Sequence, residues 1–241
     1  VRGAEFGALQ VACGAAHTAA IVVPKAEVEA AAKGKDGPQR ALLTWGENQT
    51  GQLGYETQSD DARSEVPAPV PLKTSSPVQV SCGATHTAAL DDTGEVWVWG
   101  AADCMPRSAL RRKHSTSSNP SKSIFGGLRA LGRKDTPPDP LNEKDGDQYA
   151  PVKVDWNQVP GFPVGCQMAS VAAGKESTLV CTSAGQLYHW GNGKWAMSKN
   201  PKLVTSGQLE GHEVSAVITS HAAEHAVALV QGYTGDFREC R

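Results

Sequence analysis

The sequence predicts an all-β fold built from an internal repeat, and three observations lead to this expectation. Glycine (25 residues) and proline (15 residues) are too frequent for a helical bundle. Valine, threonine and tryptophan gather in short runs between them, a pattern typical of strands. A segment of eleven residues recurs four times along the 241-residue chain, and such recurrence indicates a repeat architecture.

The recurring segment begins with a strand-like run and contains, in its first two copies, the pattern Cys-Gly-x-x-His-Thr. The four copies align without gaps as Val11–Ile21, Val80–Leu90, Val171–Cys181 and Thr219–Leu229. Turn signals follow the second and third copies, at 91–94 and 182–185. Each copy is therefore expected to form a strand that a tight turn connects to the next strand.

A second apolar strand that ends in Trp-Gly follows three of the four copies. These strands are predicted at Leu42–Gly46, Val96–Gly100 and Leu187–Gly191. Only the first continues into Gly46–Gly54, in which the glycines permit a tight loop and Leu53 can return to the core. The repeating unit is thus a strand, a turn and a Trp-Gly strand.

Spacing between these landmarks indicates two loop insertions, at residues 24–39 and 101–148. The first lies in the 29 residues from His17 to Gly46, where the second and third copies need only 14. It is expected to form one or two exposed helical turns. The second insertion is rich in serine and has a basic stretch without acidic residues, so we expect it to be flexible and to bind an acidic surface. The basic residues predicted to bind a partner are Arg107, Arg111, Arg112, Lys113, Lys122, Arg129, Arg133 and Lys134.

The Cys-Gly-x-x-His-Thr pattern, the Trp-Gly strand and the G-x-N-x-x-G-Q-L-G loop together resemble the repeat of the regulator of chromosome condensation family. The resemblance is closest in the first two copies and weaker in the last two. It implies four-stranded blades, seven of which usually close a β-propeller. On this basis residues 1–241 are propeller repeats that form a partial ring of about three to four blades. Such a chain is expected to be part of a longer protein or to be completed by a partner.

The repeated residues are interpreted as structural because each recurs at one position of the repeat. His17 and His86 are expected to form hydrogen bonds between adjacent strands inside each blade. Cys13 and Cys82 are interpreted as small buried hydrophobic residues. The tryptophans before glycine are interpreted as residues that pack the blades together. The full structural set is Cys13, Gly14, His17, Trp45, Gly46, Cys82, Gly83, His86, Trp99, Gly100, Gly174, Trp190, Gly191 and His225.

Two motifs that suggest catalysis or a cofactor are explained by the repeat. His221–His225 matches the H-x-x-E-H pattern of zinc proteases, which requires a helix, whereas the alignment places this stretch in a strand. Gly191–Ala196 matches G-x-G-x-x-A, but no βαβ unit accompanies it. We therefore predict no catalytic residue, no metal, no cofactor and no enzymatic activity.

Composition and charge restrict the possible partners. A net charge of −2 argues against a chain that binds nucleic acid over its whole surface, and no apolar run is long enough to span a membrane. Six scattered cysteines, without a C-x-x-C pair, favour a reducing compartment. The sequence predicts an interaction scaffold among the proteins of a larger complex, with an acidic partner such as a tubulin tail, RNA or an acidic protein.

The family resemblance also implies an alternative function, guanine-nucleotide exchange on a Ran-like small GTPase. Exchange factors act through a loop surface and not through acid–base residues, so no exchange residue is assigned to this chain. The expected location is the cytoplasm, with the cytoskeleton or a cilium as specific settings. A location in the nucleus or the mitochondrion is left open by the sequence.

Overall fold

The structure is a computed structural model of the chain. It describes residues 6–24, 39–57, 62–72, 76–106, 147–193, 197–205, 209 and 212–230. Most of both predicted insertions, 25–38 and 107–146, falls outside these ranges. No helix in the described ranges is long and apolar enough to cross a membrane.

The described residues form antiparallel strands in four sheets, which confirms the predicted all-β fold. We call each sheet a blade. The first blade contains β1 (Phe6–Cys13), β2 (His17–Pro24), β3 (Ala41–Glu47) and β4 (Arg63–Pro69). The second contains β5 (Pro77–Cys82), β6 (His86–Asp91), β7 (Val96–Gly100) and β8 (Gln148–Lys153). The third contains β9 (Met168–Ala173), β10 (Ser177–Thr182), β11 (Leu187–Gly191) and β12 (Ser198–Leu203). In the fourth, β13 (Val214–Ile218) and β14 (Val227–Val230) are described.

Strand order within each blade follows chain order, so the three four-stranded blades are antiparallel meanders. The first strands of the four blades contribute Leu9, Val78, Ala169 and Ser215 to one central cleft of about 600 Å³. The blades are therefore arranged around a common axis, as in a β-propeller.

The register of the two inner strands repeats from blade to blade. Val11 pairs with Ala20, Val80 with Ala89, and Val171 with Val180. In the fourth blade the corresponding pair is Val217 with Ala228, which lies two residues further apart in the chain. The gapless alignment of the fourth copy is therefore wrong in its first strand, because its connecting loop is two residues longer.

This longer loop also changes the expectation for residues 219–226. The alignment placed His221–His225 in a strand, whereas the structure has turns and bends there, and β14 begins at Val227. The segment is not helical, so its two histidines do not have the geometry of a zinc-protease motif.

The outer strand of each complete blade was not identified from the sequence. Each outer strand contains proline, at Pro67, Pro69, Pro151 and Pro201. Proline has no amide hydrogen to donate, so it is tolerated mainly where a strand has a neighbour on one side only. The same residues that interrupt a strand-like pattern in the sequence thus mark the outer edge of the blade.

The hydrophobic core lies between blades. Apolar side chains of the first blade, such as Ile21 and Leu42, pack on Val80 and Trp99 of the second. Equivalent layers join the second blade to the third and the third to the fourth. Cys104 and Met105, at the start of the predicted second insertion, are buried in the middle layer, so this part of the segment belongs to the blades.

Candidate interaction surfaces

The histidine of the repeat links one blade to the next. His17 Nε2 lies 2.9 Å from Thr87 Oγ1, and His86 Nε2 lies 2.9 Å from Thr178 Oγ1. In both pairs the threonine belongs to the following blade, whereas the sequence suggested a bond between strands of the same blade. The His-Thr dipeptide therefore serves two junctions, because the histidine contacts the next blade and the threonine contacts the preceding one.

Geometry fixes the direction of the first of these hydrogen bonds. The Thr87 hydroxyl donates its single hydrogen to the Gln52 carbonyl at 2.8 Å. Its oxygen must then accept from His17, so His17 carries its hydrogen on Nε2. Burial lowers the pKa of His17 to about 4, with a smaller contribution from the charge of His221. Burial, and secondarily the charge of His17, lowers the pKa of His86 to about 3. Both rings are neutral at pH 7.

The glycine of the Cys-Gly-x-x-His-Thr pattern leaves space for the histidine of the same pattern. A Cβ atom on Gly14 would overlap the ring of His17, and one on Gly83 would overlap the ring of His86. The Cys-Gly-x-x-His-Thr pattern thus places a bare backbone against the imidazole. Cys82 of the same pattern is buried, which raises the pKa of its thiol to about 12 and makes it an inert packing residue.

A second polar contact at the junctions involves the residue that precedes the repeated valine. Gln10 accepts from the Val80 amide at 2.9 Å and donates to the Val80 carbonyl at 3.1 Å. Gln79 accepts from the Val171 amide at 2.9 Å. Ser170, at the same position in the third blade, lies 3.4 Å from the Val217 amide. Sequence reasoning missed these residues, although Gln-Val occurs at the same place in the first two copies.

In the second and third blades, the tryptophan before the repeated glycine donates a hydrogen bond to the preceding blade. Trp99 Nε1 donates to the Gln52 carbonyl at 2.9 Å, and Trp190 Nε1 donates to the Cys104 carbonyl at 3.1 Å. Gln52 lies in the predicted Gly46–Gly54 loop, where Asn48 accepts from the Leu53 amide at 2.9 Å. The second copy has no such sequence, and its 3₁₀ helix at Ala102–Cys104 supplies the carbonyl. Both tryptophans are fully buried, as the sequence predicted for packing anchors.

The junction between the third and fourth blades lacks the histidine–threonine contact. Ser177 stands where the histidine would be, and Ala226 stands where its threonine partner would be. Both the histidine and its threonine partner are thus replaced at the junction between the third and fourth blades. Gly174 and Gly191, by contrast, occupy the glycine positions of the third copy as expected.

One face of the first blade has the side chains of a junction but no blade against it in the described part of the chain. We call this the trailing face and define it by Val11, Cys13, Thr18 and Trp45. Val11 is 57% exposed, whereas Val80, Val171 and Val217 at the same register are 1–2% exposed. Cys13 is exposed, so the expectation that it is buried is wrong, whereas its counterpart Cys82 is buried against the first blade. Trp45 is only half-buried, whereas Trp99 and Trp190 at the same position are fully buried.

The opposite end of the chain carries the complementary face. We call it the leading face and define it by Ile218, Val227, Leu229 and His225. The three apolar residues are 57%, 54% and 49% exposed, whereas Leu229 corresponds by register to the buried Ile21 and Leu90. His225 is exposed and stands three residues before Ala228, the same offset that separates His17 from Ala20.

A separate cleft of about 440 Å³ lies along the connection from β8 to β9. Trp156 is among its lining residues and belongs to an aromatic cluster with Phe162, Tyr188 and Trp190. Nε1 of Trp156 and the hydroxyl of Tyr188 are buried without hydrogen-bond partners. Among the described residues, no group of three or more His, Cys, Asp or Glu side chains could hold a metal.

The predicted partner-binding residues are not placed by the structure. Arg107, Arg111, Arg112, Lys113, Lys122, Arg129, Arg133 and Lys134 all lie outside the described residues. Their role stays a prediction from the sequence.

Comparison with known proteins supports the repeat assignment. Two family models, each described as the regulator of chromosome condensation (RCC1) repeat, match residues 41–90 and 78–104. The human protein "RCC1 domain-containing protein 1" is 25% identical over 162 residues, which cover 64% of this chain and 40% of that protein. The human "Probable E3 ubiquitin-protein ligase HERC3" is 36% identical over 96 residues, which cover 39% of this chain and 7% of that protein. The chain therefore spans less than half of the length of these relatives.

Solved structures show the same fold. Yeast RCC1 (Prp20), in its crystal structure bound to Kap60, superposes with a TM-score of 0.56 at 19% identity, covering 89% of this chain and 40% of that one. Human WBSCR16 gives a TM-score of 0.55 at 16% identity and covers 96% of this chain and 60% of that one. Prp20p from Saccharomyces cerevisiae, described with its binding to Gsp1p and histones, gives 0.53 at 17% identity, covering 90% and 54%. Residues 41–104 thus match the repeat of the regulator of chromosome condensation family, and the chain shares the β-propeller fold of these structures.

Proposed function

We propose that this chain is a non-catalytic interaction scaffold within a larger, cytoplasmic assembly, and that its basic insertion contacts an acidic partner. The observation that carries this proposal is the stretch between Cys104 and Lys134, which contains eight lysines and arginines and no aspartate or glutamate. A stretch of this charge is attracted to acidic surfaces.

The use of the repeated polar residues supports the same proposal. The Nε2 atoms of His17 and His86 contact the neighbouring blade. The side-chain amides of Gln10 and Gln79 and the indole of Trp99 also form hydrogen bonds to a neighbouring blade. Residues engaged in this way hold the blades in place and are not available for acid–base chemistry. Function in such a framework belongs to surfaces and loops.

The basic insertion adds a charged surface to this framework. Eight lysines and arginines lie between Cys104 and Lys134, and this stretch contains no aspartate or glutamate. Contacts between such a stretch and an acidic surface weaken as salt screens the charges. A tubulin tail, RNA and an acidic protein patch all offer the required negative charge.

The test is affinity isolation of the chain from its own cells at low and high salt, with mass spectrometry of the retained proteins. We expect proteins of one assembly to be retained at low salt and lost as salt rises. Reversal of Arg111, Arg112 and Lys113 to glutamate is expected to reduce their retention about tenfold or more. Reversal of Lys175, Lys199 and Lys202 is the matched control and should leave retention unchanged. Equal losses in the two variants, or retention that is insensitive to salt, would contradict the proposal.

Guanine-nucleotide exchange on a small GTPase is the second candidate function. It is favoured by the structural similarity to Prp20p, which is described with its binding to Gsp1p. The same isolation experiment separates the two functions. Enrichment of a small GTPase in its nucleotide-free state, with no other assembly proteins, would support exchange and contradict the scaffold.

A further inference from the structure

We propose that the cleft along the connection from β8 to β9 binds a proline-rich peptide segment that carries a basic residue beside its prolines. The inference goes beyond the scaffold function, because that function depends on the basic insertion, whereas this cleft is formed by the second blade and its connection to the third. Its basis is the length of the connection, the aromatic floor of the cleft and the charge of its rim.

The connection that forms the cleft is longer than the joining of two blades requires. Residues 154–167 join β8 to β9 with fourteen residues, whereas residues 70–76 join β4 to β5 with seven. The longer connection contains a 3₁₀ helix at Trp156–Gln158 and the fully exposed Val164. The cleft, of about 440 Å³, lies between this connection and the β6–β7 hairpin at residues 93–95. The additional length therefore builds a surface feature beside the blades.

The floor of the cleft is apolar and aromatic. Val154, Trp156 and Val159 line it and are buried. The half-buried ring of Phe162 extends this surface, since its centroid lies 5.0 Å from that of Trp156 at an interplanar angle of 32°. Clefts lined by aromatic rings suit proline-rich segments, which are rigid before they bind and so lose little conformational entropy.

A hydrogen-bond donor in this floor has no acceptor. Trp156 is only 7% exposed, and its Nε1 has no hydrogen-bond partner. A buried donor without a partner is unfavourable, so a ligand that brings an acceptor gains affinity here. A polyproline II segment has no internal hydrogen bonds, and its backbone carbonyls are free to accept. Because Nε1 is itself covered, binding requires a side chain at the rim to move, and Phe162 is the closest of the aromatic neighbours of Trp156.

The charged residues that line the cleft leave it with a net negative charge. They are Glu95, Lys153 and Asp155. Lys153 Nζ lies 3.3 Å from Glu95 Oε1, so this pair is balanced. Asp155 accepts hydrogen bonds from the Asn157 amide and the Gln158 side chain, but no described residue forms an ion pair with it. An arginine or lysine beside the prolines complements this carboxylate.

Fluorescence anisotropy of a labelled synthetic peptide, titrated with the full chain, is the first measurement. The probe is one arginine followed by a run of prolines, and saturable binding with a dissociation constant below about 1 mM is expected. A peptide with glutamate in place of the arginine should bind at least about threefold more weakly, because its charge repels the rim. A peptide with alternating glycine and serine in place of the prolines should bind at least about tenfold more weakly, because it is flexible before binding.

Two variants test the residues assigned to the cleft. Asp155→Asn removes the charge but keeps a residue that can cap the 3₁₀ helix, so it should weaken binding of the arginine peptide at least about threefold without unfolding the chain. Trp156→Phe keeps an aromatic ring but removes the N–H, and we expect it to weaken binding about fivefold or more. Glu65→Gln, at an exposed carboxylate on β4, is the matched control and should bind like the unmodified chain.

The thiol of Cys166 locates the bound peptide independently of these variants. Cys166 lines the cleft and is half-buried. Bound peptide should therefore slow its reaction with iodoacetamide, measured by mass spectrometry of the digested chain. Cys13, which is exposed on the first blade, is the internal control and should react at an unchanged rate.

Three outcomes would overturn the inference. One is the absence of binding at about 1 mM, and another is equal binding of the proline and the glycine–serine peptides. The third is binding that neither protects Cys166 nor weakens in Asp155→Asn, which would place the peptide elsewhere on the chain. None of these results bears on the isolation experiment, which depends on the basic insertion.

Discussion

Neutral histidines at the blade junctions couple the stability of the molecule to pH. His86 is fully buried, its Nε2 contacts Thr178, and its Nδ1 has no hydrogen-bond partner. Protonation would place a charge and a new N–H where no acceptor is available. The folded protein therefore resists protonation of this ring, which the unfolded chain accepts at its ordinary pKa near 6.5.

Removal of the ring by His86→Ala is expected to lower the free energy of unfolding at pH 7 by about 1 to 3 kcal/mol. The pH dependence should change as well. Because the folded pKa of about 3 lies below the unfolded value of 6.5, the unfolded state binds more protons between these two limits. Stability is then complete above about pH 6.5 and declines as pH falls, by on the order of 1 kcal/mol per pH unit for each such histidine. Urea titrations from about pH 7 to about pH 4.5 should give a shallower slope for His86→Ala.

Thr178→Val is the matched control for this measurement. It removes the hydroxyl that contacts His86 but leaves the buried ring in place. The variant should be less stable than the unmodified chain at pH 7 and should keep a steep pH dependence. Identical slopes for the unmodified chain and His86→Ala would show that this histidine does not titrate with unfolding.

At the level of strands and turns, the glycine that ends each Trp-Gly strand occupies a position with no space for a side chain. Gly100 has φ of +113°, and a Cβ there would lie 2.5 Å from the Thr85 carbonyl oxygen and 2.6 Å from His86 Cα. Both contacts are with backbone, so no side-chain movement can relieve them. This glycine allows the end of β7 to pass close to the turn that carries the junction histidine.

Gly100→Ala is expected to lower the free energy of unfolding by about 3 kcal/mol or more, because backbone strain and steric overlap add. Gly161→Ala is the matched control, since Gly161 also has positive φ, of +75°, but has no atom within 4 Å of its Cβ position. Its cost should be about 1 kcal/mol, from the conformational preference alone. Thermal or chemical unfolding measures both, and equal costs would show that close packing at Gly100 is unimportant.

The inner strands and the Trp-Gly strand could be predicted from the sequence because their pattern is local and repeated. Trp99 and Trp190 are buried as expected from their position before glycine. The outer strands could not be predicted, since proline at positions such as Pro151 disguises their pattern. The partner of His17 also could not be predicted, because a threonine 70 residues away becomes its neighbour only when two blades stack.

Considered as a whole, the described residues form a series of blades whose extensive contacts are with the adjacent blades, so the stability of the molecule depends on the individual junctions. The first two junctions combine an apolar layer with a histidine–threonine contact and a held tryptophan. The third junction has an apolar layer and the Ser170 contact with Val217, but neither the histidine nor the threonine. The fourth blade is therefore attached by fewer interactions than the others.

This difference predicts that the fourth blade opens before the second and third. Amides of β13 and β14 should exchange with solvent at least about a hundredfold faster than those of β6 and β10, which lie between two neighbouring blades. Hydrogen exchange followed by mass spectrometry measures this directly. Uniform exchange across the four blades would show instead that the molecule opens as one cooperative unit and that the missing pair at the third junction has no energetic consequence.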